Sequence, residues 1–307
     1  MLVSEQSIRE AAVRIQPLAR RTPVMQIDNW FFKCENLQRG GAFKIRGASN
    51  LVLSIPQADI ARGVVAFSSG NHAQATAIAA KHVGAPAVIV MPEDAPKSKM
   101  EPTRALGARV VTYNRFTDDR EAIAAAVMAE TGGTLVPPFD HPMIISGQGT
   151  AALELLEDVP DLDTLVACVG GGGLLSGSAT IATAVRPGIK VYGAEPELAS
   201  DTYQSFVKGE HVTIPPPDTI ADGLRSPSPG KLTFPIIQKL VEAIALVTED
   251  EIRAAMRFVM DKLKIVVEPS GAVSVAAVLF GKVPVGTGKV GLIISGGNTD
   301  LEFLKTL

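Results

Sequence analysis

Only two of the 307 residues are cysteines, Cys34 and Cys168, and they form neither a CxxC pair nor a metal-ligand spacing. That usage excludes a disulfide-stapled secreted scaffold and a zinc ribbon, and it fits a reducing compartment. Neither sign of charge dominates, with 29 Lys and Arg against 32 Asp and Glu. The electrostatic footprint of a nucleic-acid or anionic-membrane binder is therefore missing, and small molecules and a second copy of the chain are the expected partners. Long apolar runs are lacking too: the longest, residues 85–91 and 272–280, fall well short of the ~18 residues of a membrane span. The first ten residues carry Glu5, Arg9 and Glu10 where an export signal needs an apolar stretch, so the expected location is the cytoplasm. Ser4 or Ser7 is placed there to cap an amphipathic helix.

What is present is an alternation. Short β-branched runs at 64–67, 87–90, 110–111, 164–169, 190–194 and 290–295 are separated by helical stretches at 73–81, 97–106, after Gly173 and at 249–263. With 46% hydrophobic residues to bury, this βα pattern predicts an α/β protein of two lobes, each an open, mostly parallel twisted sheet with helices on both faces. The breaker cluster Pro137-Pro138-Phe139-Asp140-His141-Pro142 reads as a lobe boundary, with a new helix opening near Ser146. Residues 1–53 and 141–307 are expected to form a large lobe and 54–140 a small, mobile one. The proline-rich segments at 214–218 and 226–230 read as loops.

Three glycine-containing loops follow strand-like runs, where ligands lie in open α/β sheets. Gly170, Gly171, Gly172 and Gly173, before a helix, can turn backbone N–H groups toward an anion at the positive end of the helix dipole. No Gly-Lys-Ser/Thr follows and the spacing fails GxGxxG, so a ligand with a single phosphate fits better than a nucleoside triphosphate. Ser68-Ser69-Gly70-Asn71-His72 suits a carboxylate, although simple N-capping by Ser69 or Asn71 would give the same pattern. Ser295-Gly296-Gly297-Asn298 closes the last strand. Lys44 sits among apolar and glycine neighbours in Gly41-Ala42-Phe43-Lys44-Ile45-Arg46-Gly47-Ala48. A lysine shielded from water has a lowered pKa and an amine able to act as nucleophile and base, as Schiff-base chemistry with an aldehyde requires.

In combination and in this order, these motifs resemble the fold-type II pyridoxal-phosphate enzymes, the tryptophan synthase β-like group, and within them the serine/threonine dehydratase and serine racemase branch. Ser146-Gly147-Gln148-Gly149-Thr150, Ile220-Ala221-Asp222-Gly223 and Glu268-Pro269 extend the likeness over nearly the whole chain. The resemblance implies that Lys44, beside Phe43, binds the cofactor aldehyde, that Gly170, Gly171, Gly172, Gly173 and Leu174 hold the phosphate, and that Gly223 lines the cofactor. Asn71 would then bond the phenolic oxygen and Ser295 the ring nitrogen. Ser68, Ser69, Asn71, His72 and Ser226 would hold substrate, with Arg120 at a second carboxylate. Glu195, Ala199 through its carbonyl, and Asp201 match a site for Mg²⁺, whose hard-oxygen shell waters would complete.

The implied activity is dehydration of L-serine or L-threonine to a 2-oxo acid and ammonia, in a homodimer. Lys44 would remove the Cα proton, and Ser69, on the opposite cofactor face, would allow reprotonation, so that serine racemase is the alternative and 3-hydroxyaspartate a further substrate. A catalytically silent, metabolite-binding member of the fold is a reading of a different class. Two departures from the family pattern stand out. Only residues 24–30 separate Thr22-Pro23 from Phe31, where the family has a longer stretch, and with the sequence stopping at Leu307, shortly after the Ser295-Gly296-Gly297-Asn298 motif, feedback by isoleucine through a C-terminal regulatory domain is not expected.

Overall fold

The computed structural model describes residues 3–68, 70–95, 97–114 and 116–307, with the backbone alone at 97–99. Helix α1 (Glu5–Arg14) starts at a reciprocal cap, the Ser4 hydroxyl accepting from the Ser7 N–H and the Ser7 hydroxyl from the Ser4 N–H. Strands β1 (Val24–Ile27) and β2 (Trp30–Cys34) form an antiparallel hairpin with Ile27 opposite Trp30. Asp28 takes a φ of 51° in the two-residue turn, a conformation Asp tolerates better than most residues. The short 24–30 segment is thus a closed hairpin, and it is a pair of strands that the pattern of the sequence did not announce.

Helices α2 (Lys44–Val52) and α3 (Gln57–Ile60) lead into β3 (Val64–Phe67), α4 (Asn71–His82), β4 (Ala87–Pro92), α5 (Lys97–Ala105), β5 (Arg109–Tyr113), α6 (Arg120–Thr131) and β6 (Thr134–Leu135). These four strands pair in parallel in the order β5-β4-β3-β6. Helix α7 (Pro142–Asp158) starts inside the breaker cluster, ahead of Ser146: His141 caps it by accepting from the Met143 N–H at 3.1 Å, and Pro142 occupies the first turn, where no N–H is needed. The chain continues through β7 (Thr164–Cys168), α8 (Gly173–Val185), β8 (Lys190–Pro196), α9 (Asp201–Lys208), α10 (Thr233–Leu240), β9 (Ala243–Val247), α11 (Glu249–Leu263), α12 (Pro269–Leu279), β10 (Val290–Ile294) and α13 (Leu301–Leu304). The second sheet runs β1-β2-β10-β7-β8-β9, parallel except for the β1–β2 hairpin. No helix among the described residues is long and apolar enough to cross a membrane.

One apolar core surrounds the six-stranded sheet, a second lies on one face of the four-stranded sheet, and a third, smaller one lies on its other face under α6. The second takes in Ile45, Ala48, Leu51 and Val52 of α2 and Ile144 of α7. Helices α2, α7 and α8 approach one another backbone to backbone: a Cβ on Gly147 would stand 2.5 Å from the Arg46 carbonyl oxygen, and one on Gly177 2.4 Å from that of Ile145. Only glycine fits such contacts.

A buried ionic cluster ties β2, α2 and α7 together. Arg46 donates from Nε and Nη2 to Glu35 at 2.7 and 2.8 Å, and from Nη1 and Nη2 to Glu154 at 2.8 and 2.7 Å. Lys33 Nζ reaches Glu154 at 2.7 Å and the Thr22 carbonyl at 2.7 Å. Burial alone would push the Glu154 carboxyl up, but the hydrogen bonds and charges of Arg46 and Lys33 hold it below the usual carboxylate range.

Candidate active site

Lys44 is the first residue of α2, and the chain before it is anchored to the end of β10: Ala42 bridges to Gly296, and the Phe43 N–H donates to the Ser295 carbonyl at 3.0 Å. The Lys44 Nζ donates to the Pro138 carbonyl at 2.9 Å and lies 5.1 Å from the centre of the Phe43 ring. Burial pulls its pKa down to about 8, against the opposing pull of Cys168 and Glu268. Ser295 is buried beside the Cys168 thiol, which burial pushes up to about 11. Lys44 and Ser295 thus share one locality.

The glycine loop between β7 and α8 is shaped for an anion. Helix α8 begins with Gly172 as its cap residue, at a φ of 94°, and has no side-chain capping bond. A Cβ on Gly171 would meet the Phe139 ring at 2.3 Å, and one on Gly173 would meet the Gln148 Oε1 at 2.3 Å. Thr233 Oγ1 holds the Gly171 carbonyl at 2.6 Å and Thr202 Oγ1 the Gly170 carbonyl at 3.1 Å, turning the carbonyls into the protein. Leu174 is buried in the first turn of α8. The Gly223 carbonyl oxygen would stand 3.7 Å from a Cβ on Gly170, and the Gly223 N–H donates to Ser270 Oγ at 3.0 Å. Ser226 turns back on its own loop, donating to the Ser228 carbonyl at 2.7 Å.

At the end of β3 the Asn71 side chain is not the helix cap. Helix α4 has Gly70 as its cap residue with no side-chain capping bond, while the Asn71 side chain turns to Glu268 at 2.7 Å and Asn298 at 2.8 Å. Ser68 Oγ accepts from the Gly70 N–H at 3.3 Å. Ser69 lies outside the described residues. The His72 ring is buried, and its Nε2 bonds the Val136 carbonyl at 2.8 Å. A carbonyl only accepts, which assigns the proton to Nε2 and leaves Nδ1 a lone-pair acceptor. Burial, helped by the Lys44 charge, drops the His72 pKa to about 3. The ring is neutral and its free nitrogen cannot donate to a carboxylate, so it is the His72 backbone N–H in the first turn of α4 that suits an anion. Arg120 opens α6 and stacks its guanidinium 5.2 Å over the Phe67 ring, next to Ser68.

Glu195, at the end of β8, accepts from the Thr202 and Tyr203 N–H groups at 3.3 and 2.9 Å. Asp201, at the start of α9, is buried with neither carboxylate oxygen hydrogen-bonded. Burial pushes both carboxyls up, Asp201 to about 7. Buried oxygens without a donor are what a hard cation would satisfy. Among the described residues no three His, Cys, Asp or Glu side chains gather to hold a metal, and Ala199, whose carbonyl the resemblance offers as a ligand, is buried.

Several groups at this site went unassigned in the sequence. Pro138 and Phe139 read as a boundary, yet one supplies a carbonyl to Lys44 and the other covers Gly171. Glu268 and Asn298 sat inside matching motifs without a role; the only signal was their place after glycine or before proline at a strand or helix end.

An uncapped helix end lined by glycines, an amine of lowered pKa and a buried serine on an α/β scaffold fit a phosphate-bearing aldehyde such as pyridoxal phosphate. Residues 15–296 match the family described as pyridoxal-phosphate dependent enzyme, and the chain belongs to it, with the fold of its fold-type II members. A serine racemase of Schizosaccharomyces pombe is 46% identical over 310 residues, covering 98% of this chain and 96% of its own. An L-threo-3-hydroxyaspartate ammonia-lyase of Saccharomyces cerevisiae is 46% identical over 311 residues, covering 98% and 94%. The structure of maize serine racemase superposes with a TM-score of 0.95 at 43% identity, covering 100% of this chain and 97% of that one.

Proposed function

We propose that this protein is a pyridoxal-phosphate-dependent ammonia-lyase that converts L-serine or L-threonine to a 2-oxo acid and ammonia. The observation that carries the reading is Lys44, an amine lowered to about 8 and held by the Pro138 carbonyl beside Ser295. The cofactor, bound through Lys44, supplies an electron sink that acidifies the Cα–H of an amino acid. The freed Lys44 Nζ takes that proton. The N–H groups at the start of α8 hold the phosphate, and those at the start of α4, with Ser68, hold the substrate carboxylate. A hydroxyl at Ser295, unlike a carboxylate, does not keep the ring nitrogen protonated, which favours elimination or exchange at Cα over transamination.

Two observations favour neighbouring readings. The similarity to proteins named serine racemase, with Ser69 in the loop before α4, supports racemisation alongside elimination. The guanidinium of Arg120, over the ring of Phe67 one residue before Ser68, supports a dicarboxylic substrate such as 3-hydroxyaspartate, in line with the Saccharomyces cerevisiae relative's name. We further assign Mg²⁺ to Glu195, Asp201 and the Ala199 carbonyl, a structural or modulatory ion supported by the unpartnered Asp201 oxygens. The 54–140 segment is assigned as a small mobile lobe, and the protein is placed in the cytoplasm as a homodimer, its two cysteines being buried free thiols.

The test is a panel of L-serine, L-threonine and L-threo-3-hydroxyaspartate scored for 2-oxo acid release, with D-serine measured in parallel. Release from none of them, in a protein that holds the cofactor, would establish a silent binder instead. Ser69→Ala is expected to abolish D-serine while sparing pyruvate, and equal loss of both would sink the two-face model. Lys44→Ala is expected to abolish release and the borohydride-sensitive absorbance band.

A further inference from the structure

The side-chain amide of Asn71 is gripped from both ends. Its Nδ2 donates to Glu268 Oε1 at 2.7 Å, and its Oδ1 accepts from Asn298 Nδ2 at 2.8 Å. The same Asn298 nitrogen donates to the Gly40 carbonyl at 2.7 Å, so both of its hydrogens are used. A flipped Asn71 would set oxygen against the Glu268 carboxylate and nitrogen against the Asn298 nitrogen, turning two hydrogen bonds into two repulsions. One orientation therefore survives, and in it Asn71 keeps a second amide hydrogen without a partner among the described residues.

The grip is itself built into the backbone. Asn298 lies against Gly41, where a Cβ would stand 2.1 Å from Oδ1, and Gly41 has a φ of 74°. The loop carrying Asn298 is pinned by the Gly297 N–H on the Gly41 carbonyl at 2.9 Å and by the Glu268 N–H on the Gly296 carbonyl at 3.1 Å. A Cβ on Gly296 would stand 2.2 Å from Glu268 Oε1, so Glu268 too occupies a slot that needs glycine. These bonds join the start of α4 to the start of α12, to the end of β10 and to the segment just ahead of Lys44.

We infer that Glu268 and Asn298 are positioning residues that lock the Asn71 amide in a single orientation and so present its remaining N–H to the bound cofactor. The inference rests on the cofactor reading above and adds to it a layer behind Asn71. It concerns how the cofactor is held and tuned, which is separable from turnover.

The holoenzyme carrying Asn298→Ala, Asn298→Asp, Glu268→Gln, Asn71→Ala or Asn71→Ala with Asn298→Ala is compared with the parent. Cofactor dissociation is followed by equilibrium dialysis, and the bound-cofactor absorbance band is titrated with pH. Asn298→Ala is expected to raise the cofactor Kd by about tenfold and to shift the band or its titration. Asn298→Asp, which keeps the volume and removes both donors, is expected to do the same, and it carries the test should the alanine variant not fold. Glu268→Gln, which keeps an acceptor oxygen, is expected to change Kd by only about threefold and to move the band's titration. In the Asn71→Ala background the Asn298 substitution is expected to add less than about twofold, because its effect acts through Asn71. Kd and band unchanged in both Asn298 variants, or a full effect persisting without Asn71, would overturn the inference. A parent protein with no borohydride-sensitive band would overturn the cofactor reading itself, and this inference with it.

Discussion

Replacing Arg46 with methionine keeps most of the side-chain volume and removes the charge at the centre of the buried cluster. In the parent protein Arg46 makes two hydrogen bonds to Glu35 and two to Glu154, each at 2.7 or 2.8 Å. After the substitution Glu154 still has Lys33 at 2.7 Å, and it is the partly exposed member of the cluster. Glu35 has no such reserve: it is fully buried and keeps only the Thr22 hydroxyl at 2.5 Å and the Gln38 amide at 3.5 Å. Removing one partner of a buried pair costs about 3–5 kcal/mol, because the other charge is left uncompensated in a medium of low polarity. At roughly 2 °C per kcal/mol for a chain of this size, Arg46→Met should lower the melting temperature by about 6–10 °C, with a matching fall in the urea midpoint. The same arithmetic says that removing both charges costs less than the two single removals added together. Arg46→Met combined with Glu35→Leu should recover about 2 kcal/mol or more relative to the sum of the single changes. Additive losses in the double variant, or a single-variant loss below about 1 kcal/mol, would refute the view that uncompensated charge sets the cost.

Lys44 sets a pH dependence. A lysine at its ordinary 10.5 is about one part in 3,000 neutral at pH 7, whereas one lowered to about 8 is about one part in ten neutral. Since the neutral amine attacks the aldehyde, cofactor uptake by the apoprotein should quicken as pH rises and level off above about 8, a plateau absent from stopped-flow traces if the lowered pKa is wrong. Gly171→Ala should weaken cofactor binding by more than about tenfold, because the new methyl group meets the Phe139 ring at 2.3 Å, whereas Gly188→Ala, at a φ of 91° but with open space around it, should cost only about 1 kcal/mol of stability and leave cofactor binding alone. Asp201→Asn should abolish any gain in thermal stability that Mg²⁺ confers, and an equal gain in both proteins would place the ion elsewhere.

The alternation of β-branched and alanine-rich segments made the parallel strands legible, since period and length differ sharply between 64–67 and 71–82. The β1–β2 hairpin was not legible because Asp28-Asn29 is a weak turn signal and the strands hold few β-branched residues. The sequence sets the start of helix α7 too late because Pro142 looks like a breaker, although at the first turn it is a starter. At the site, Lys44 and the glycine run could be seen because their chemistry is local. Pro138, Glu268 and Asn298 could not, because each acts through a contact across a large separation in sequence, and a backbone carbonyl carries no sequence signal at all.

Where α2, α7 and α8 touch at Gly147, Gly149 and Gly177, backbone meets backbone. Lys44 stands at the start of the first of these helices and the glycine cradle at the start of the third, with α7 wedged between them. Any displacement of one anchor relative to the other must slide main chain over main chain, the stiffest kind of joint a protein can make. The spacing between Lys44 and the glycine cradle, the two groups proposed above to hold opposite ends of the cofactor, is therefore set largely by main-chain packing.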